Sequence, residues 1–137
     1  MWHNQLSEMM KKILMLIALH FPIIAVSAVW NCRNEQLEIQ CDSSECRSSD
    51  SFTPLDVYLN TENGEISVGM YSGVWQGTVN ITEHENLIVV FAKELEFSNS
   101  ASNNEDFFIA IDKTDNVAVF KGSNYAMPMT CRSKSPK

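Results

Sequence analysis

The side chains best suited to binding a partner are concentrated in residues 69–77. Three of the five glycines in the chain recur there every four residues, around two large aromatic rings. Glycine leaves the backbone bare beside a ring, which suits contact with a flat ligand, a sugar ring or a partner's loop, and aromatic anchors often dominate interfaces. The segment therefore predicts a binding site of four residues, namely Tyr71, Ser72, Gly73 and Trp75. A structural role is the alternative, because glycines in strands also mark bulges and the bends of small barrels, where neighbouring rings fill the space.

Four residues of this segment carry a resemblance to a known family. Ser72-Gly73-Val74-Trp75 resembles the Ser-Gly-x-Tyr inhibitory loop of the bacterial periplasmic lysozyme inhibitors, with Trp75 in place of the family's tyrosine. Those inhibitors are small exported β-barrel or sandwich proteins with disulfides, and their loop enters the lysozyme cleft, where its polar residues meet the catalytic carboxylates. The resemblance implies a contact by Ser72. The wider layout, from Trp30-x-Cys32 to Cys131, also resembles uncharacterised small exported bacterial β-barrel proteins, a likeness that implies no activity.

Groups that could perform catalysis are sparse beyond the N-terminal segment. A single histidine, His84, lies there between Glu83 and Glu85. Neighbouring carboxylates favour a charged imidazole and would suit proton transfer, but successive strand or turn residues point apart, so we expect a solvated hairpin turn. Glu94 and Glu96 share strand parity, as a glycosidase pair would, and we interpret them as part of an exposed face.

Enzyme motifs are missing from the same part of the sequence, which has no Gly-x-Ser-x-Gly elbow, paired histidines or phosphate-binding glycine loop. We therefore expect a protein that is not an enzyme and that holds no cofactor or metal. A net charge of −7 leaves no basic surface for nucleic acid or anionic lipid. An acidic chain suits a basic protein partner in the cell envelope, because complementary charge speeds association. The expected function is that of a binding module, with a lysozyme inhibitor and a small-ligand carrier as alternatives.

The N-terminus has the pattern of a secretory signal peptide. Lys11 and Lys12 precede an apolar run that ends in the small residues Val26-Ser27-Ala28. Signal peptidase requires small side chains at the last and third-last positions before the cut, so we predict a signal peptide over residues 1–28. The start site has two candidates, Met1 and Met10. A start at Met10 would give the short basic segment that conventionally precedes the apolar run of a signal peptide.

An uncleaved membrane anchor is the alternative interpretation, since a spanning helix needs roughly 20 apolar residues. His20, Pro22 and the small-residue end of the run favour cleavage. We therefore expect no membrane contact after the signal peptide is removed, and a periplasmic or secreted protein.

Four cysteines follow the predicted signal peptide. An even number of cysteines in an exported chain indicates two disulfides rather than a metal site. Four cysteines allow three pairings. We expect Cys41 to pair with Cys46, which is near in sequence, and Cys32 to pair with Cys131, which would tie the ends of the chain together.

After Cys32 the hydrophobic period is two, which is the period of half-buried β-strands. The first such run is Leu37, Ile39 and Cys41, which alternate with Glu38 and Gln40. Leu55, Val57 and Leu59 alternate with polar residues in the next run, and Asn63-Gly64 then supplies a hairpin turn. Similar runs recur at intervals, over residues 66–70, 74–81, 87–92, 107–111, 117–121 and 125–131. Residues 42–50 and 98–104 are polar and predict loops.

About eight strands with hairpin turns predict an all-β fold, a small antiparallel β-barrel or flattened sandwich stabilised by disulfides. One domain would cover residues 29–131, followed by a frayed tail over residues 132–137. We expect large side chains to fill the interior and to leave no cup for a ligand. These are Phe91, Phe97, Phe107, Phe108, Phe120, Met127 and Met129.

Overall fold

Eleven β-strands make up the part of the chain that the computed structural model describes, residues 28–49 and 51–134. They are β1 (Val29–Asn34), β2 (Glu38–Cys41), β3 (Cys46–Ser49), β4 (Leu55–Asn60), β5 (Glu65–Met70), β6 (Gly73–Thr78), β7 (Ile81–Glu83), β8 (Leu87–Phe97), β9 (Ser100–Asp112), β10 (Val117–Lys121) and β11 (Tyr125–Lys134). Within these residues no helix could cross a membrane. Both candidate start sites and residues 1–27 of the predicted signal peptide lie outside the described residues.

Eight of the strands close into an antiparallel barrel, which confirms the predicted fold class. Each strand is hydrogen-bonded to the next in the order β1-β4-β5-β6-β8-β9-β10-β11, and β11 pairs with β1 to close the ring. The other three strands lie outside the ring: β2 and β3 form a hairpin on β11, and β7 pairs with β8. Closure is the way in which this antiparallel sheet protects the edges of its first and last strands.

The core lies inside the ring because alternate residues of each strand point inward. On β4 the inward residues are Leu55, Val57 and Leu59, all of them buried, as the alternating pattern predicts. The hairpin after β4 is confirmed as well. The turn of this hairpin ends at Gly64, whose φ is +73°. A Cβ there would lie 2.3 Å from the Val79 carbonyl oxygen, so the turn requires glycine.

Two disulfides form in the expected pairing. Cys32 and Cys131 lie opposite each other on β1 and β11, with a sequence separation of 99 residues. Cys41 and Cys46 lie opposite each other on β2 and β3, with a separation of 5 residues. The first bond is buried at the seam where the ring closes, whereas the second lies on the appended hairpin.

Several strand boundaries differ from the prediction. The run 74–81 divides between β6, which ends at Thr78, and β7, which begins at Ile81, and β8 continues past residue 92 to Phe97. The predicted alternation at residues 37–41 is wrong as well, because Leu37 is exposed and Glu38 is buried. Residues Cys46–Ser49 form β3 inside the predicted loop 42–50, and β9 begins at Ser100 inside the predicted loop 98–104. Strand β11 continues to Lys134, past the predicted end of the domain at Cys131, while residues 135–137 of the predicted tail lie outside the described residues. The residues concerned are mostly polar and carry no hydrophobic alternation. Backbone pairing to β2, β8 and β1 orders them instead.

Two phenylalanines predicted in the core lie elsewhere. Phe91 is 67% exposed and Phe108 is half-buried. The prediction is wrong for both, because they face each other across β8 and β9 on the outside of the ring. Successive residues of a strand point to opposite sides, so Phe91 and Phe108 point outward while their buried sequence neighbours point inward. The remaining members of the predicted core are buried, except for Phe97, which is half-buried: Phe107, Phe120, Met127 and Met129.

Candidate functional site

The predicted binding residues fall on a hairpin between two neighbouring barrel strands. Met70 ends β5, Gly73 begins β6, and the two residues between them, Tyr71 and Ser72, form the turn. Both side chains are exposed, and Tyr71 reaches 86%. We call these two residues the Tyr71 turn. It stands at the end of the barrel where β8 and β9 also meet in a turn.

Hydrogen bonds fix the Tyr71 turn to the turn between β8 and β9. The Asn99 side chain donates from Nδ2 to the Ser72 carbonyl oxygen at 2.6 Å. The Val74 amide donates to the Ser98 hydroxyl at 3.1 Å, and the Ser98 amide donates to the Val74 carbonyl at 2.8 Å. The backbone that carries the exposed Tyr71 ring is therefore held in place by a second hairpin.

Gly73 is required where the two turns meet. Its φ is +152°, a value that side chains with a Cβ rarely adopt. A Cβ at this position would also lie 2.6 Å from Cζ of Phe97 and 2.9 Å from Nδ2 of Asn99. Any side chain here would push the two turns apart, so the role of Gly73 is to permit their contact.

Trp75 lies in the core and is only 6% exposed. Its ring centroid is 4.6 Å from that of Phe97 and 5.5 Å from that of Phe107. Its indole nitrogen donates to the Asn103 carbonyl oxygen at 2.8 Å. Trp75 therefore has the structural role that the sequence leaves open as an alternative, and the exposed part of the predicted site is the Tyr71 turn.

A second candidate surface lies on the outside of the barrel wall. Six apolar side chains of β8, β9 and β10 point outward there, each exposed or half-buried: Leu87, Val89, Phe91, Phe108, Val117 and Val119. We call this set the outer apolar face. Phe91 and Val119 project furthest, at 67% and 52% exposure. Single apolar residues scattered over a surface are ordinary, whereas these six are neighbours, which makes the face a candidate contact surface.

Strand register makes the outer apolar face continuous. Phe91 lies opposite Phe108. In the next row, Val89, Ala110 and Val119 follow one another across β8, β9 and β10. Residues directly opposite on neighbouring strands lie close enough for their side chains to touch. The sequence carries a signal for this face, since this stretch of β8 is apolar at both parities, but the same pattern equally predicts a strand buried on both sides.

The acid and base groups singled out from the sequence lie on the surface. Glu83, His84 and Glu85 are exposed at the turn between β7 and β8, which confirms the predicted solvated hairpin turn. Glu94 and Glu96 are also exposed, next to a β-bulge at which Glu94 has a φ of +52°. Among the described residues, no three potential metal ligands come together.

Two titratable side chains that no sequence motif indicates lie near the turn between β10 and β11. Glu105 has inward parity on β9, and the Tyr125 ring stacks on Phe120 with centroids 6.1 Å apart. Burial raises the pKa of Glu105. Burial first, and then the charges of Glu105 and Glu38, raise the pKa of Tyr125. Tyr125 is therefore a neutral phenol at neutral pH. These residues lie on different strands, and nothing in their sequence spacing indicates that they meet.

The chain matches no family model, no curated protein and no solved structure. The resemblance to the lysozyme inhibitors therefore rests on residues 72–75 alone. Two surfaces stand out on geometric grounds, the Tyr71 turn at one end of the barrel and the outer apolar face on its side.

Proposed function

We propose that this protein is an exported binding module that captures a protein partner through the Tyr71 turn. The observation that carries the proposal is the position of Tyr71, whose ring is 86% exposed on a turn that is hydrogen-bonded to its neighbour. An aromatic ring on rigid backbone offers a partner a large contact area at a small cost in conformational entropy. The core does not account for this ring, since Trp75 and Phe97 fill the interior at that end.

Export is supported by the disulfides. The bonds Cys32–Cys131 and Cys41–Cys46 use all four cysteines of the chain. Disulfides form and persist in oxidising compartments and are rare in the bacterial cytosol. The predicted signal peptide over residues 1–28 also supports export. The proposed location is therefore periplasmic or secreted.

The proposed partner is a basic protein of the cell envelope or its surroundings. The net charge of −7 favours such a partner, because complementary charge raises association rates. A lysozyme is one candidate, and the exposure of Ser72 on the Tyr71 turn is what the resemblance to the lysozyme inhibitors requires. In this candidate function Tyr71 supplies the aromatic contact, because Trp75 points into the core.

A small-ligand carrier has less support. The inward positions of the barrel hold large buried side chains, among them Phe107, Phe120 and Met129. An eight-stranded barrel has an interior just wide enough for side chains to fill. The packing of these residues favours a solid core over a ligand cup.

Capture of a panel of lysozymes by the oxidised, exported protein tests the proposal, with inhibition of cell-wall lysis as a second readout. We expect Tyr71→Ala to weaken binding by about 30-fold, the change that corresponds to a hot-spot contribution of about 2 kcal/mol. Ser72→Ala should reduce inhibition if the contact implied by the resemblance is made. Phe91→Ala is the matched control, since it removes a similarly exposed ring from another surface, and it should bind as the parent does.

The thermal unfolding midpoint of each variant separates lost contact from lost fold. Tyr71→Ala should unfold at the parent's temperature, because its ring is 86% exposed. A Tyr71→Ala variant that binds as tightly as the parent would refute the proposed surface. Failure to capture any lysozyme would remove the inhibitor function and direct the same pair of variants to other basic envelope proteins.

A further inference from the structure

The outer apolar face is a second contact surface, separate from the Tyr71 turn. It covers residues 87–91 of β8, whereas the Tyr71 turn lies beyond Phe97 at the other end of that strand. Within the part of the chain that the structure describes, Phe91 remains 67% exposed and Val119 remains 52% exposed. The proposed function gives this face no role, so its occupant has to be argued independently.

We infer that the outer apolar face docks onto a second copy of the same chain. The charges favour that occupant. The whole chain carries −7, so two copies repel each other over most of their surfaces. Four charged residues border the face, two of each sign. Asp112 lies opposite Leu87 and Lys121 opposite Phe108, while Lys93 follows Phe91 and Asp106 precedes Phe108 with the same outward parity. It is therefore a region where two acidic copies can meet without net repulsion.

The border charges also set an orientation, because Lys93, Asp106 and Lys121 leave one excess positive charge at the Phe91 end, while Asp112 lies at the Leu87 end. Asp112 and Lys121 lie at opposite ends of the face along the strands. A second copy turned end for end would place its Lys121 near Asp112 of the first copy, and twofold symmetry would form the same pair twice. A basic partner would gain little from a face with no net charge, which is why a second copy fits better.

The shape of the face suits packing against itself. Ala110 lies at its centre, between Val89 and Val119, and forms a low point near the projecting Phe91. Facing sheets pack about 10 Å apart with their side chains interdigitated. In a symmetric pair, Phe91 of each copy can fill the low point of the other.

The size of the face predicts a weak dimer. Two interstrand spacings from β8 to β10 and the four residue rises from Leu87 to Phe91 give about 10 Å by 14 Å. A stable interface buries roughly 800 Å² on each partner. The apolar face can supply only the centre of such an interface, with a polar rim around it. We therefore expect reversible association in the micromolar range.

Sedimentation equilibrium across micromolar concentrations tests the inference, with the full chain expressed under export and the oxidised product recovered. The mass should rise from one chain to two as concentration increases. Phe91→Glu should weaken association by at least about 30-fold, a change of about 2 kcal/mol, because it places a charge against the apolar low point of the other copy. Tyr71→Glu is the matched control, since it places the same charge on an exposed ring outside the face, and it should associate as the parent does.

Exchange of the charges at Lys121 and Asp112 tests the orientation. Lys121→Asp should weaken association, and Lys121→Asp combined with Asp112→Lys should restore it. Val119→Glu repeats the central test if Phe91→Glu does not fold. A mass of one chain at all concentrations, or a Phe91→Glu variant that still pairs, would overturn the inference. If a parent that stays monomeric binds anionic or neutral lipid vesicles, and Phe91→Glu abolishes that binding, the inference is overturned and the face is assigned to lipid.

Discussion

Phe107 and Phe108 are neighbours in sequence and lie on opposite sides of the barrel wall. Phe107 is 1% exposed and lies against the rings of Trp75 and Phe120. Phe108 is half-buried and faces Phe91 on the outer apolar face. Both sides of this part of the wall are apolar, so residue type does not separate them. Strand alternation defines two sides, and closure of the ring decides which of them becomes the core.

The same division separates other residues of similar chemistry. Trp75 is buried and Tyr71 is exposed, although four positions separate them in one glycine-rich segment. The Cys32–Cys131 bond lies inside the ring, and Cys41–Cys46 lies on the hairpin outside it. Side chains inside the wall should therefore control stability, while those outside are available for contact.

The largest difference between the two sides is expected for Phe107→Ala against Phe108→Ala. Phe107 has ring centroids at 5.5 Å from Trp75 and 5.2 Å from Phe120, so its removal leaves a cavity and should cost about 3–5 kcal/mol. Phe108→Ala removes the same atoms from the outside and should cost less than about 1 kcal/mol. Urea unfolding at low protein concentration measures both changes. Equal losses would show that Phe108 is not on the solvent-facing side of the wall.

The two disulfides should give the next largest difference. In the chain-entropy model, a loop of about 100 residues contributes roughly 4 to 5 kcal/mol and one of about 5 residues roughly 2 kcal/mol. Replacing Cys32 and Cys131 by alanine should therefore lower the free energy of unfolding by about 2 to 3 kcal/mol more than replacing Cys41 and Cys46. Denaturant unfolding of the two double variants measures the difference. If removal of the hairpin bond costs as much, the hairpin of β2 and β3 stabilises the ring.

Much of the fold is predictable because its information is local. The alternation at Leu55, Val57 and Leu59 identifies a half-buried strand without reference to its partner, and Gly64 identifies the turn that follows. The cysteines identify the seam, because Cys32 and Cys131 lie near the two ends of a domain that must close. These features need no knowledge of which strands become neighbours across the ring.

The side of the wall that a residue occupies is less predictable where both sides are apolar. Residues 87–92 and 117–120 carry apolar side chains at both parities, so the sequence assigns Phe91 to the core as readily as Val90. The same limit applies to the candidate site. A ring flanked by glycines suits an exposed turn or a packed interior equally. The bonds that fix the two positions come from a distant part of the chain, since Asn99 donates to the Ser72 carbonyl in the turn and the Asn103 carbonyl accepts from the buried Trp75 indole.

The smallest difference should appear as a pH dependence inside the wall. Burial raises the pKa of Glu105 in the folded protein, so the stabilisation that belongs to its protonated form is complete below about pH 4 and is lost as pH rises through the folded pKa. Glu105→Gln keeps a neutral group and should raise the unfolding midpoint at about pH 7 but not at about pH 3. The gain should stay below about 1 kcal/mol, because this side chain remains partly exposed. Glu96→Gln changes the same charge outside the wall, and an equal gain there would show that net charge, rather than position, controls the effect.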